Sequence, residues 1–184
     1  GHIGFKDDFF LSSHWGLALL IAGLIGANAT GWISDKFFQS RRGPMAMMLY
    51  FLMIIGAAVI AFSIGQNTQH NGSLVTGVGL FVILTCVIGV HGILSGTASA
   101  EFAGPKNVAK AVGIIDGAVY LGTSLQSFIM GLYVPVFQPG ASLHKITDPN
   151  EWLAWPIIIF KFTIFGAILG MKIYHSYPNN GHTH

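Results

Sequence analysis

Residues 74–100 read LVTGVGLFVILTCVIGVHGILSGTASA, twenty-seven positions without one Asp, Glu, Lys or Arg. As a helix rising about 1.5 Å per residue, such a run is about 40 Å long, enough to cross the roughly 30 Å hydrocarbon core of a bilayer. Four more apolar stretches flank it, bounded by polar residues or by Pro and Gly: about Leu11 to Ile33, Pro44 to Gly65, Ala109 to Phe137 and Trp152 to Tyr174. Pro44 stands in a first turn, where its missing N–H costs nothing. The expected fold class is an all-α membrane protein, a single domain over 1–184 with five transmembrane helices.

Composition agrees. The 184 residues are 52% hydrophobic and 9% charged, with a mean hydropathy of +0.62. A soluble domain carries about 25% charged residues, so nine basic and seven acidic side chains cannot make a hydrated surface. This excludes a nucleic-acid binder, a secreted disulfide scaffold and a disordered tail, and a net charge of +2 points to no anionic partner. Cys86 is the single cysteine and lies in an apolar run. The sequence begins at Gly1 and shows no basic stretch followed by a short apolar one, so it reads as a piece of something longer or a processed product.

The placement of basic residues predicts an orientation. One set of connections holds Lys36, Arg41, Arg42, Lys106, Lys110 and Lys172; the other holds Lys6 and Lys145 beside Asp7, Asp8, Asp148 and Glu151. The first set is expected in the cytoplasm, with the N-terminus outside and the C-terminus inside. Trp15, Trp32, Trp152 and Trp155 fall near predicted span ends, where amphipathic rings prefer the headgroup zone.

Ionisable groups inside spans are costly and usually face a bundle interior or a water-filled cavity. Asp116 in the fourth span is followed by Tyr120, Thr123 and Ser127 at i+4, i+7 and i+11, which puts all four on one helical face. That stripe is a candidate cavity wall; its rival role is interhelical hydrogen bonding. His91 in the third span has Ser95 and Ser99 at i+4 and i+8 and is a candidate donor or proton carrier, or else a satisfied core residue. Glu101, at the end of the same span, reads as interfacial. Lys161 lies about nine residues into the fifth span, roughly 13 Å deep, either stretching toward Asp116 or snorkelling to the surface. Gly23 and Gly26, and Gly113, Gly117 and Gly122, stand at spacings that let helix backbones approach closely. No nucleotide-binding loop, zinc-ligand spacing or nucleophile elbow is present, so no cofactor, metal or catalytic residue is assigned. His182 and His184 read as an inert tail, and the Gln138–Glu151 stretch as a plain connector.

The loop between the first two spans reads GWISDKFFQSRRGP from Gly31 to Pro44. Gly31 permits helix contact, Asp35 closes a helix end, and Lys36, Arg41 and Arg42 cluster at the surface. Asp35 can accept from a neighbouring helix N-terminus, Arg41 or Arg42. Such a cluster can latch one conformation, or serve only as a positive-inside anchor. The run resembles the signature loop of the major facilitator superfamily: a Gly, a later Asp, a basic residue and a basic pair. Its longer spacing, with Phe37-Phe38 before Arg41-Arg42-Gly43-Pro44, is similar to the organophosphate:phosphate antiporter family. The Gly23-Leu-Ile-Gly26 lead-in, the Glu101 to Lys106 passage and Gly113-Ile-Ile-Asp116-Gly117 follow the same pattern.

The resemblance implies that the five spans correspond to helices 8 to 12 of a twelve-helix transporter, most of its C-terminal half. It implies a partner N-terminal half, a small phosphorylated substrate and a seat in the plasma (inner) membrane. It makes Gly31, Asp35, Lys36, Arg41 and Arg42 gating-loop residues and has His91, Ser95, Asp116, Tyr120 and Thr123 face the central cavity. The expected function is exchange of a small organophosphate for inorganic phosphate by alternating access; the alternatives are a non-transporting sugar-phosphate sensor and a small membrane enzyme. The family's anion-binding arginines belong to helices this chain lacks, and Asp116 would repel a phosphate dianion unless paired.

Overall fold

The computed structural model describes residues 13–65, 72–133 and 152–175, and every regular element among them is helical. Lys6, Asp7, Asp8, the start of the first span, residues 134–137, the connector with Lys145 and Asp148, and His182 and His184 lie outside the described residues. Helix α1 spans Trp15–Phe37, α2 Arg42–Gly65 and α3 Gly72–His91. The third span continues through a π-helical segment, Gly92–Ala98, into a short α4, Ser99–Ala103; α5 is Val108–Tyr133 and α6 Ala154–Lys172. Five stretches are long and apolar enough to cross a membrane: Trp15–Phe37, Arg42–Ile64, Leu74–Ala103, Val108–Tyr133 and Ala154–Lys172.

The first helix runs one turn beyond Ile33, its expected end, to Phe37. Ser34, Asp35 and Lys36 are polar without being helix breakers, so the helix stops only where Gln39 and Ser40 enter the left-handed region, at φ 53° and 60°. Asp35 and Lys36 are therefore helical residues, and the true connection is Phe38–Arg41.

Lipid tails are as apolar as leucine, so burying apolar surface between helices gains little in a bilayer, and close packing and polar contacts hold the bundle. The buried face of α1 shows this: Ala18, Ala22, Gly26, Thr30 and Ser34 recur every four residues, all of them small. They bring α1 onto α3 so closely that a Cβ at Gly26 would collide with the Thr85 carbonyl. Thr30 sits over Gly89 in return. A second crossing joins α2 and α3, where a Cβ at Gly56 would meet Ile83, and one at Gly79 would meet Ile60. A third joins α2 and α6, with the Tyr50 ring against Gly166.

Around these crossings, Met45, Leu49, Met53, Cys86, Val90 and Ile93 interlock between α2 and the third span. Ala57, Ile60, Ile64 and Ile83 form a second cluster, which Leu153, Trp155, Ile159 and Phe160 complete from the α6 end. The third span thus lies between α1 and α2, and α2 carries α6 on its far side. Helix α5 leans on the π segment, α4 and the edge of α6, and none of its residues is buried.

The expected small-residue contacts divide accordingly. Gly26 is at a crossing, whereas a Cβ at Gly23 would meet only Ile88, at an ordinary 3.8 Å. Gly31, Gly113, Gly117 and Gly122 meet nothing within 4 Å, so no described neighbour requires their size. We expect Gly26→Ala to destabilise the chain by about 1–3 kcal/mol through forced separation of α1 and α3. Gly117→Ala should be neutral or slightly stabilising, since Ala is the better helix former by about 1 kcal/mol. Unfolding in mixed micelles checks the pair, and equal shifts would contradict the packing described.

Candidate functional site

Two polar clusters stand out, one at the helix ends and one within the spans. The first centres on Arg42, in the first turn of α2. Its side chain is only 6% exposed. Its guanidinium donates through Nε and Nη2 to the two oxygens of Glu101, with the Nε bond at 3.0 Å, and through Nη1 to Asp35 Oδ1 at 2.8 Å. The Glu101 contact is the two-pronged geometry for which guanidinium and carboxylate are matched. One buried cation thereby ties the end of α1, the start of α2 and the end of the third span.

The turn that delivers Arg42 is strained and locally pinned. Two non-glycine residues in the left-handed region cost about 1–2 kcal/mol each. Holding them, Ser40 Oγ donates to Asp35 Oδ1 at 3.0 Å, and the amides of Phe38 and Ser40 both donate to Ser34 O at 3.1 Å. Buried Ser34 returns its hydroxyl to Arg41 O at 3.3 Å. Ser34 and Ser40 were not singled out by the sequence reading; their only signal was a hydroxyl beside a helix end.

Every member of the cluster opposes its helix dipole. Asp35 and Glu101 are acids near C-terminal ends, and Arg42 is a cation at an N-terminus, each placement unfavourable by about 0.3–1 kcal/mol. Local helix preference therefore does not explain them, and their mutual pairing does.

The other loop residues go elsewhere. Lys36 Nζ lies 4.7 Å from the Trp32 ring centroid and 5.7 Å from that of Phe37, a cation over aromatic faces. Arg41 Nε donates to Phe38 O at 3.3 Å, and its guanidinium sits 5.8 Å from the Tyr174 ring centroid. Of the two arginines open to Asp35, the fold selects Arg42. Glu101, expected to be merely interfacial, is instead the main partner of Arg42; its signal was an ionisable group at a span end.

The second cluster lies where α5 crosses the third span. The π segment widens the helix there, a departure frequent at functional sites, and presents Ser95 to Asp116. Ser95 Oγ donates to Asp116 Oδ1, and His91 Nε2 is 3.9 Å from the same oxygen. Asp116 is 34% exposed and His91 45%, so both keep an open side. Two stripes read separately along the sequence thus meet.

Ser99 does not extend that meeting, for it is buried and donates to Leu94 O at 2.9 Å. Tyr120 is exposed one turn beyond Asp116, and Thr123 and Ser127 are exposed further along the face. The Thr123 hydroxyl donates to Val119 O at 2.9 Å, within its own helix. Lys161 makes no pair with Asp116. It lines a cleft of about 560 Å³ between α5 and α6, beside Ile129, Tyr133, Ile157 and Phe165. Among the described residues no group of His, Cys, Asp and Glu is placed to hold a metal ion.

Similarity to known proteins runs through both clusters. The "Probable hexose phosphate transport protein" of Chlamydia pneumoniae is 26% identical over 160 residues, 87% of this chain and 31% of that protein. The glycerol-3-phosphate transporter of Bacillus subtilis is 32% identical over 136 residues, 73% of this chain and 29% of its own length. The chain is homologous to organophosphate:phosphate antiporters of the major facilitator superfamily. It is an integral membrane protein with part of that superfamily's fold. The membrane sensor protein UhpC of Escherichia coli, another relative in this family, is 29% identical over 151 residues, 81% of this chain and 30% of the sensor. The chain spans about three tenths of the length of these curated relatives. No protein-family model matches it, and no solved structure does.

The geometry of the first cluster sets an order of strength. Asp35 is 57% exposed and Glu101 25%. Removing the charge of Glu101 leaves a buried guanidinium short of its two-pronged partner, whereas an exposed pair contributes about 0–1 kcal/mol. In double-mutant cycles with Arg42→Gln, the coupling to Glu101→Gln should exceed that to Asp35→Asn by at least about 1 kcal/mol. A reversed order would mean that Glu101 is not the principal partner.

Proposed function

We propose that this chain forms most of the C-terminal half of an alternating-access transporter that exchanges a small organophosphate for inorganic phosphate. The partner N-terminal half supplies the other wall of the cavity. The observation that carries the reading is the Arg42 junction, which holds three helix ends together. The names of the homologous transporters supply the substrate class. The positive-inside rule puts the junction in the cytoplasm, with the chain's N-terminal end outside and its C-terminal end inside.

The junction suits a releasable latch. Each pairing gains Coulomb energy in a half-buried site, but each charge also opposes a helix dipole and gives up hydration. Rocking the helices apart returns the charges to water and relaxes the strained Gln39-Ser40 turn, which offsets part of the lost pairing. The closed state is then favoured by little enough for thermal exchange between two orientations. Lys36 and Arg41 belong to the same gate as surface anchors, and Gly31 belongs to it within α1, one turn before Asp35. His91, Ser95, Asp116, Tyr120 and Thr123 line the substrate cavity.

Asp35→Asn in the full-length protein tests the latch. We expect cytoplasmic cysteine accessibility to rise and the rate of phosphate exchange in liposomes to change by about fivefold, as befits about 1 kcal/mol. If both stay at wild-type values, the loop is only an anchor. The 184 residues alone should give no uptake into liposomes, and robust uptake would refute the half-transporter reading. The similarity to UhpC favours a second reading, in which the protein senses a sugar phosphate without moving it; binding without flux by the full-length protein would establish that reading instead.

A further inference from the structure

A carboxylate in a cavity for phosphate esters needs a reason, because Asp116 repels the very group that defines the substrate. We infer that Asp116 reads the hydroxyl groups of a polyhydroxy phosphate ester, with His91 and Tyr120 completing a polyol subsite at the end of the cavity away from the phosphate. The inference rests on the organophosphate reading above and deepens it.

The hydrogen-bonding inventory is the first argument. Among the described residues, the polar contacts of the Asp116 carboxylate are the Ser95 hydroxyl and the His91 ring, both on Oδ1. A carboxylate has about four lone-pair sites, so Oδ2 keeps its capacity to accept. Sugar hydroxyls are donors that match it, and phosphate oxygens are not. The bond from Ser95, itself buried, holds the acid in place without neutralising it.

The second argument is the spacing to His91. At 3.9 Å, Nε2 and Oδ1 are too far apart for a direct hydrogen bond. One hydroxyl can nevertheless donate to Asp116 and accept from His91 at about 2.8 Å each. The third is Tyr120, one turn along α5 on the same face and 68% exposed. Its phenol has no hydrogen-bond partner among the described residues, whereas the hydroxyls of Thr123 and Ser124 are committed to their own helix. An open carboxylate oxygen and a half-open imidazole therefore stand beside the π segment, with an open phenol one helical turn along the same face.

The electrostatics then become consistent. Repulsion between Asp116 and the phosphate falls with distance, so a substrate bound with its hydroxyls on Asp116 has its phosphate directed away from it. Inorganic phosphate and esters without hydroxyls gain nothing from the subsite. Asp116 is thus a specificity-determining residue that separates a hydroxylated ester from the bare anion.

The test uses the full-length protein in nanodiscs and titration calorimetry with three probes: glucose 6-phosphate, methyl phosphate and inorganic phosphate. For Asp116→Asn, the ratio of the Kd for glucose 6-phosphate to that for methyl phosphate should rise about 10- to 100-fold, the range expected for losing hydrogen bonds to a charged group. Tyr120→Phe, which removes one hydroxyl from an exposed ring, should move the same ratio in the same direction by a smaller factor. If both ratios keep their wild-type values, even with all three affinities weakened together, the polyol subsite is wrong and Asp116 has a packing role. If the wild-type protein binds none of the three probes, the organophosphate reading itself fails and takes the subsite with it.

Discussion

A buried arginine must be neutralised, and that constraint organises the helix ends of this protein. Arg42 enters α2 at its first turn, where the helix dipole already disfavours a cation. Its neutralisation draws in Asp35 from the preceding helix and Glu101 from a span fifty-nine residues later. The short Phe38–Arg41 turn, with its two left-handed residues, is what lets Asp35 and Arg42 face each other across so little chain. The pairing explains why polar residues continue α1 past its apolar stretch. The third span itself ends two residues beyond Glu101, where Gly104 at φ 70° turns the chain and Pro105 follows.

Below that junction, the bilayer changes the currency of stability. Small residues matter more than large ones, because a close backbone crossing creates many dispersion contacts while an exposed leucine loses nothing to lipid. Helix α1 illustrates this, with alanine, glycine, threonine and serine inward and Leu17, Leu20 and Leu24 outward. The inverse of a soluble amphipathic helix, it would be misread by any rule that places the largest apolar groups inside. Helix α5 is the exception, since neither large nor small residues on it are buried. Its polar stripe is anchored to the bundle at Asp116.

Much of the candidate site was legible because charge inside an apolar span is rare enough to be noticed residue by residue. Asp116 and His91 declared themselves that way, as did the Asp35 to Arg42 loop through its spacing. Glu101 was legible as an ionisable group and misjudged in role, because one position near a span end says nothing about what lies opposite. Lys161 shows the converse: its sequence position left pairing with Asp116 and snorkelling both open, and the fold does not pair the two charges. Gly43, Gly56, Gly79, Gly89 and Gly166 carry close approaches, yet they look no different in sequence from Gly113, Gly117 and Gly122, which carry none. A glycine records that contact is possible, and only the neighbour decides whether contact occurs.

The sequence by itself determined the solvent, the helical class, the number of spans and the family, because hydropathy, helix rise and a charged loop motif are local quantities, readable over a few tens of residues. Only the tertiary structure decided which of two adjacent arginines is buried, that Glu101 rather than the loop alone neutralises it, and that His91, Ser95 and Asp116 meet. Those outcomes depend on how helices distant in sequence rotate and cross, and the crossings are set by small side chains whose identity is common to every span. The π segment is the sharpest case. It shifts the register of the third span at the polar contact itself, so the face on which Ser95 and Ser99 lie cannot be projected from ideal helical spacing.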